Sequence, residues 1–204
     1  MEGADQNRYL ALLSKRAPKA VLKHQDLNFK YFQGREVVKR GMLEVTFELT
    51  CGTKFQLFAV HLKSRYTDKK EDLRSSLRRV REAEFCRNRI IERTHDQGTD
   101  KYLIVGDFND YPSSATMRRF YRRGNFEIGA LVPAADSRGE LWTYFYEKET
   151  RYESVDGFVA SSALMAMIKS RCAKIMDSPG ALTGSDHRMV YLDLMEPAPA
   201  QVKK

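Results

Sequence analysis

The stretch from residue 41 to residue 109 constrains this chain more than any other. It contains two alternating apolar runs, a helical pattern, and a continuous apolar run that stops on polar residues. "GMLEVTFEL" and "KFQLFAVHLK" alternate with the period of extended strands and are joined by Cys51, Gly52 and Thr53, which reads as a β-hairpin. From Glu71 the period lengthens. Leu73, Leu77, Val80, Ala83, Cys86 and Ile90 mark one helical face, and Gly98 ends it. The opposite face carries Arg74, Arg78, Arg81, Arg87 and Arg89 and reads as solvated. "KYLIVGDFN" then reads as a strand buried on both faces. Strand, crossover helix and strand in this order place two strands in one sheet, so the chain is of the α/β class.

The flanks are less patterned. "RYLALLSKR" (8–16) has a short helical spacing that stops before Pro18, and residues 17–40 read as a basic loop. "SSATMRRFYRR" carries a serine cap on a short helix ending at Gly124. "LWTYFY", "SVDGFVAS" and "RMVYLDL" read as further strands, "ALMAMIKS" as a brief turn or helix, and "EPAPAQVKK" (196–204) as a disordered tail. One domain over 1–195 accommodates all of this, with 1–40 as an atypical amino-terminal segment.

No apolar run approaches the roughly 18 residues of a membrane span. "MEGADQNRYL" has neither the basic start nor the apolar core of a signal peptide, so a cytoplasmic protein is the default expectation. Cys51, Cys86 and Cys172 are scattered and odd in number, which suits reduced thiols. The formal net charge of +8 favours anionic partners.

Chemistry is expected where the buried strand ends. Alternation puts Asp107 and Asn109 on one face and Phe108 on the other. Similar polar clusters stand at other strand ends: "HLKS" (61–64), "SVD" (154–156) and "GSDH" (184–187). Alone, each reads as a turn or a strand end. In this order and spacing, "HLKS", "GDFN", "SVD" and "GSDH" resemble the motifs of the endonuclease/exonuclease/phosphatase family, over residues from about 40 to 195.

That resemblance implies a two-layer β-sandwich of mixed sheets flanked by helices, like deoxyribonuclease I, with the site at one rim. It implies Mg²⁺-dependent hydrolysis of a phosphoester by water, with Mn²⁺ as a possible substitute. On the matching positions, His187 handles a proton or contacts phosphate, and Asp156 pairs with it. Asp107 orients the nucleophile, and Asn109 and His61 contact phosphate oxygens. Asp186 and Asp107 associate with metal, and Trp142 is an aromatic near the substrate. The chemistry requires such a set, because a phosphodiester is already anionic. A cation held by carboxylates must absorb the developing charge, and a histidine oriented by an aspartate gives a proton carrier near neutral pH.

Two family features lack a counterpart here: an early strand bearing an asparagine, and a second ending in a glutamate that is the principal metal ligand. Glu2 is the only early acid in anything like that context. The expectation is therefore an amino-terminally shortened member that lacks its first strands, with a sheet edge available for homo-oligomer formation. Net charge places nucleic acid ahead of phospholipid or sugar phosphate as substrate. Arg118, Arg119, Arg122 and Arg123 are available to follow a phosphate backbone. The alternative is a non-catalytic relic that binds phosphate-rich ligands or a protein partner through the same rim.

Overall fold

The computed structural model describes residues 3–5, 7–67 and 69–196. Glu2 and residues 197–204, where a metal contact and a tail were expected, lie outside them. Five strands come first: β1 (Ala20–His24), β2 (Asn28–Tyr31), β3 (Gly34–Val37), β4 (Met42–Glu48) and β5 (Lys54–His61). Helix α1 (Ser76–Arg93), strand β6 (Tyr102–Asp107) and helix α2 (Ala115–Tyr121) follow. Next are the short strands β7 (Arg122–Arg123), β8 (Phe126–Glu127), β9 (Ala130–Leu131) and β10 (Ala134–Ala135). The chain continues through β11 (Tyr144–Tyr146), β12 (Arg151–Glu153), β13 (Asp156–Ala160), α3 (Ser162–Met165), β14 (Ala173–Ile175) and β15 (Val190–Tyr191).

The main sheet has six strands in the order β1-β4-β5-β6-β13-β9, and a second, three-stranded sheet runs β10-β14-β15. Within the main sheet only β5 and β6 pair in parallel, as the strand–helix–strand pattern demands. One face of the central strands packs Phe58, Val60, Tyr102 and Ile104 against Ala83, Cys86 and Ile90 of α1 and Met117 and Phe120 around α2. The other face packs Phe55, Leu103 and Phe158 against Ala173 and Val190 of the small sheet. Burial on both faces explains why β6 has no polar alternation until Gly106. Each large side chain so buried contributes about 1.5–3 kcal/mol.

Several sequence expectations need correction. Residues 8–16 form no helix; only Leu10 is buried, against Leu43 and Val45, while Leu12 and Leu13 face solvent. One apolar anchor in nine residues does not offset the cost of nucleating a helix. Residues 17–40 are not loop but carry β1 and the β2–β3 hairpin, which delivers Phe29 and Tyr31 to the core. These strands are too short for their alternation to stand out. "RMVYLDL" contributes only Val190–Tyr191 as strand.

Helix α1 buries Ala83, Cys86 and Ile90 of its predicted face, but the pattern fails at its amino-terminal end. Leu73 and Leu77 are exposed, while Arg78 and Arg87, expected on the solvated side, are buried, as is Arg79. The buried Asp72 carboxylate anchors this end by accepting hydrogen bonds from the Leu77 and Arg78 amides at 2.8 and 2.9 Å and from the Tyr31 hydroxyl at 2.9 Å.

Candidate active site

Three neighbouring strands end at one level. Asp107 on β6 stands opposite His61 of β5 in the parallel register and opposite Asp156 of β13 in the antiparallel one. Gly106 makes this approach possible: its φ is +149°, and a Cβ there would lie 1.8 Å from the carbonyl oxygen of Val60. Beyond the strand end Phe108 turns into the core while Asp107 and Asn109 face the rim, as alternation predicts. His187 enters from the segment before β15, where it bridges to Tyr144 of β11, and the two rings lie 4.6 Å apart.

The polar contacts are short and directional. His187 Nδ1 lies 2.8 Å from Asp156 Oδ2, so its Nε2 is the nitrogen left for chemistry. Asp107 accepts from Asn109 twice, through the backbone N–H at 2.8 Å and the side-chain amide at 2.9 Å. The same amide donates to the Leu62 carbonyl at 3.1 Å, and Asn109 holds a left-handed φ of 53° to make these contacts. Asn109 therefore orients Asp107 here instead of presenting its amide outward. His61 Nε2 lies 3.4 Å from Asp107 Oδ2.

Electrostatics follow from this crowding. Burial, reinforced by the neighbouring Asp156 charge, pushes the Asp107 carboxyl up to about 7. His61 is pulled down to about 4 by burial and then by the Arg40 and His187 charges, so it is neutral at pH 7. Burial also pulls His187 down, but its hydrogen bond to Asp156 and that carboxylate's charge outweigh it and leave the imidazole raised. Donor atoms of Asp107, Asp156 and His187 all lie within 4.8 Å of one another. Two carboxylates and an imidazole converging at that spacing suit a divalent cation, and a cation there would relieve the charge crowding that raises Asp107.

A cavity of about 570 Å³ opens over the group, lined by His61, Asp107, Asn109, Asp186 and His187. Asp186 thus faces the site, but its carboxylate stands outside the close three-residue group, which contains Asp156 instead. Trp142 does not line the cavity. Its ring lies 3.5 Å from the Arg188 guanidinium and 4.8 Å from the Tyr152 ring, outside the cavity where a substrate contact was expected.

Sequence reasoning missed several residues that build this site. Arg79 ties both site loops to α1, donating to the Lys63 carbonyl at 3.1 Å and to Asp110 at 3.2 Å. Glu82 accepts from the Lys63 amide at 2.7 Å. Arg8, Arg40, Arg65 and Arg151 line the cavity. Nothing in spacing separates these charges from ordinary surface, because burial of a charged residue is decided by its partners.

Mixed sheets flanked by helices, with a polar rim where the central strands end, define an α/β architecture of the deoxyribonuclease I type. More particularly, the chain has the fold of the endonuclease/exonuclease/phosphatase proteins. It is similar to a family protein from Leptotrichia buccalis C-1013-b, with a TM-score of 0.57 and 16% identity over 88% of this chain and 62% of that one. It is similar to the 3′ phosphatase NExo from Neisseria bound to a product DNA hairpin, with a TM-score of 0.58 and 15% identity over 89% of this chain and 72% of that one. Beta toxin from Staphylococcus aureus gives a TM-score of 0.54 and 10% identity over 75% and 56%. The chain therefore spans about three-fifths of the length of the first and the last of these. No protein-family model and no curated protein sequence matches it.

Proposed function

We propose that the protein hydrolyses phosphoester bonds with the help of a divalent cation, Mg²⁺ or Mn²⁺. The observation that carries this reading is the convergence of His61, Asp107, Asp156 and His187, from four separate segments, at one rim of the sheet. Asp107 and Asp156 would hold the cation, with Asp186 on the same cavity wall. A bound cation would neutralise charge developing on the phosphoryl oxygens and lower the pKa of water.

The remaining work falls to the chain. Asp156 fixes the His187 tautomer, so that Nε2 meets either the phosphate or a proton in transit. Asp107, which a cation would hold ionised, is placed to orient the attacking water. Asn109 holds that carboxylate in place through two hydrogen bonds. His61, uncharged at pH 7, would donate a ring N–H to a phosphate oxygen.

The test is hydrolysis of a generic phosphodiester with Mg²⁺ and with Mn²⁺. Activity should vanish in excess chelator and in His187→Ala. Turnover that persists in chelator refutes the proposal. The cavity's arginines also fit the binder reading, and phosphate-ligand binding with no turnover on nucleic acid, phospholipid or sugar phosphates selects it.

A further inference from the structure

Away from the rim cavity, the seam between α1 and α2 gathers arginines that the fold does not balance. Ala83, Cys86 and Ile90 of α1 share one core cluster with Met117 and Phe120 of α2, so the two helices are packed together. Arg87 of α1 is buried. Its Nε and Nη2 donate to the Asn88 side-chain oxygen at 3.0 and 2.9 Å, and its ion pair with Glu84 is long, at 3.7 Å. Glu84 is already held by Arg81 at 2.9 Å. Arg119 of α2 has a buried Nε with no hydrogen-bond partner, and Arg123, four residues on, is exposed. Among the described residues, neither Arg119 nor Arg123 forms an ion pair.

The other acids of these segments are engaged elsewhere. Asp110 accepts from Arg79 at 3.2 Å and from the Thr116 hydroxyl at 2.6 Å, and Glu92 pairs with Arg89 at 3.0 Å. Glu127 stands opposite Arg122 across β7–β8. Arg81, Arg87, Arg119 and Arg123 are thus left to share the Glu84 carboxylate. The arginines lie within reach of one another's charge: burial lowers the Arg87 pKa, Glu84 opposes this, and Arg119 and Arg123 lower it further. A buried guanidinium short of a counter-charge costs stability. Cohesion of the two helices therefore does not account for the cluster.

We propose that Arg87, Arg119 and Arg123 form a binding site for a phosphate dianion, free or as a phosphomonoester, on the α1–α2 seam. A carboxylate would bring one charge and two oxygens. A phosphate brings about two charges and at least three acceptor oxygens, enough to accept from guanidiniums on both helices at once. None of the three arginines lines the rim cavity, so the site is separate from the acid–histidine group and does not depend on the hydrolase reading.

The test is thermal unfolding at pH 8 in EDTA, with sodium phosphate, methyl phosphate or sodium chloride added at matched ionic strength. The wild-type protein is compared with Arg119→Gln, Arg123→Gln and His187→Ala. Phosphate at about ten times its dissociation constant should raise the wild-type melting temperature by roughly 3–6 °C, and His187→Ala should keep that rise. Arg119→Gln and Arg123→Gln should each weaken phosphate binding about tenfold or more. Without phosphate both should be at least as stable as the wild type, because each removes repulsion, and Arg123 is exposed, so its replacement leaves the packing intact. General stabilisation by phosphate as a salt acts on all four proteins alike and cancels in the comparison.

Methyl phosphate matching phosphate assigns the site to phosphomonoesters, and a response to phosphate alone assigns it to the free ion. A rise of equal size in all four proteins overturns the proposal. So does a rise lost in His187→Ala but kept in Arg119→Gln, which puts the anion at the rim. Arginine variants destabilised by the same amount with and without phosphate also overturn it, since Arg119 and Arg123 then serve the fold and bind nothing.

Discussion

Replacing Asp107 with asparagine should stabilise the protein at pH 8 in the absence of divalent cations. The Asp107 carboxyl is pushed up to about 7 from 3.8 because it is buried beside Asp156. Ionising it in the folded state therefore costs on the order of 4 kcal/mol relative to the unfolded chain. The sign is opposite to that of a salt-bridged aspartate. Below pH 4 the group is protonated in both states and contributes nothing. Between pH 4 and 7 only the unfolded chain gives up the proton, so stability falls as pH rises, and above 7 the full penalty is present. Asparagine removes the penalty but returns one acceptor fewer to the two Asn109 donors, which costs about 1–3 kcal/mol. A net gain of about 1–3 kcal/mol remains, or a rise of roughly 3–10 °C in melting temperature for a chain of this size.

The assay is thermal unfolding from pH 4 to 8 in chelator, read as the difference between the variant and the wild type. His61, whose folded value of about 4 lies below the ordinary 6.5, adds stability as pH rises over that interval in both proteins and largely cancels in the difference. In the wild type at pH 8, Mg²⁺ at 100 times its dissociation constant should add about 2.7 kcal/mol, and in the variant almost nothing. A difference curve that is flat from pH 4 to 7, or a variant less stable than the wild type at pH 8, refutes the argument that burial and Asp156 crowd this carboxylate.

Three further predictions follow from particular contacts. Gly106→Ala should cost more than about 4 kcal/mol in a urea titration, because no rotamer change removes a Cβ lying 1.8 Å from the Val60 carbonyl oxygen; a loss under 1 kcal/mol contradicts the close approach of β5 and β6. Arg79→Ala should cost about 3 kcal/mol, lower kcat and loosen both site loops in hydrogen exchange, since it joins the Lys63 carbonyl to Asp110. Unchanged exchange at residues 61–66 removes its positioning role. Trp142→Phe should leave KM for phosphodiesters unaltered while lowering stability, because Trp142 packs on Arg188 and does not line the cavity; a raised KM restores it to the substrate-binding surface.

The parts of this fold legible in the sequence are those where one physical requirement acts on many adjacent residues. Burial on both faces of β6 demands a continuous apolar run, and the parallel pairing of β5 with β6 demands a crossover, so both appear as patterns. The candidate site was legible for a related reason: strand ends are where polar residues interrupt such patterns, and His61, Asp107 and Asp156 occupy three of them in register. What stayed hidden depends on pairs far apart in the chain. Arg78 and Arg79 look like a solvated helix face until Glu36, Glu82 and Asp110 supply their carboxylates. Arg65 and Glu153 are 88 residues apart, and neither implies the other. The short strands β1 to β3 fail for a third reason: four or five residues carry too few alternations to outweigh their charges, and β1 is held by its register on β4. The candidate site residues announce themselves through interrupted patterns, whereas the charges that position them and complete the cavity walls can be found only once the chain is folded.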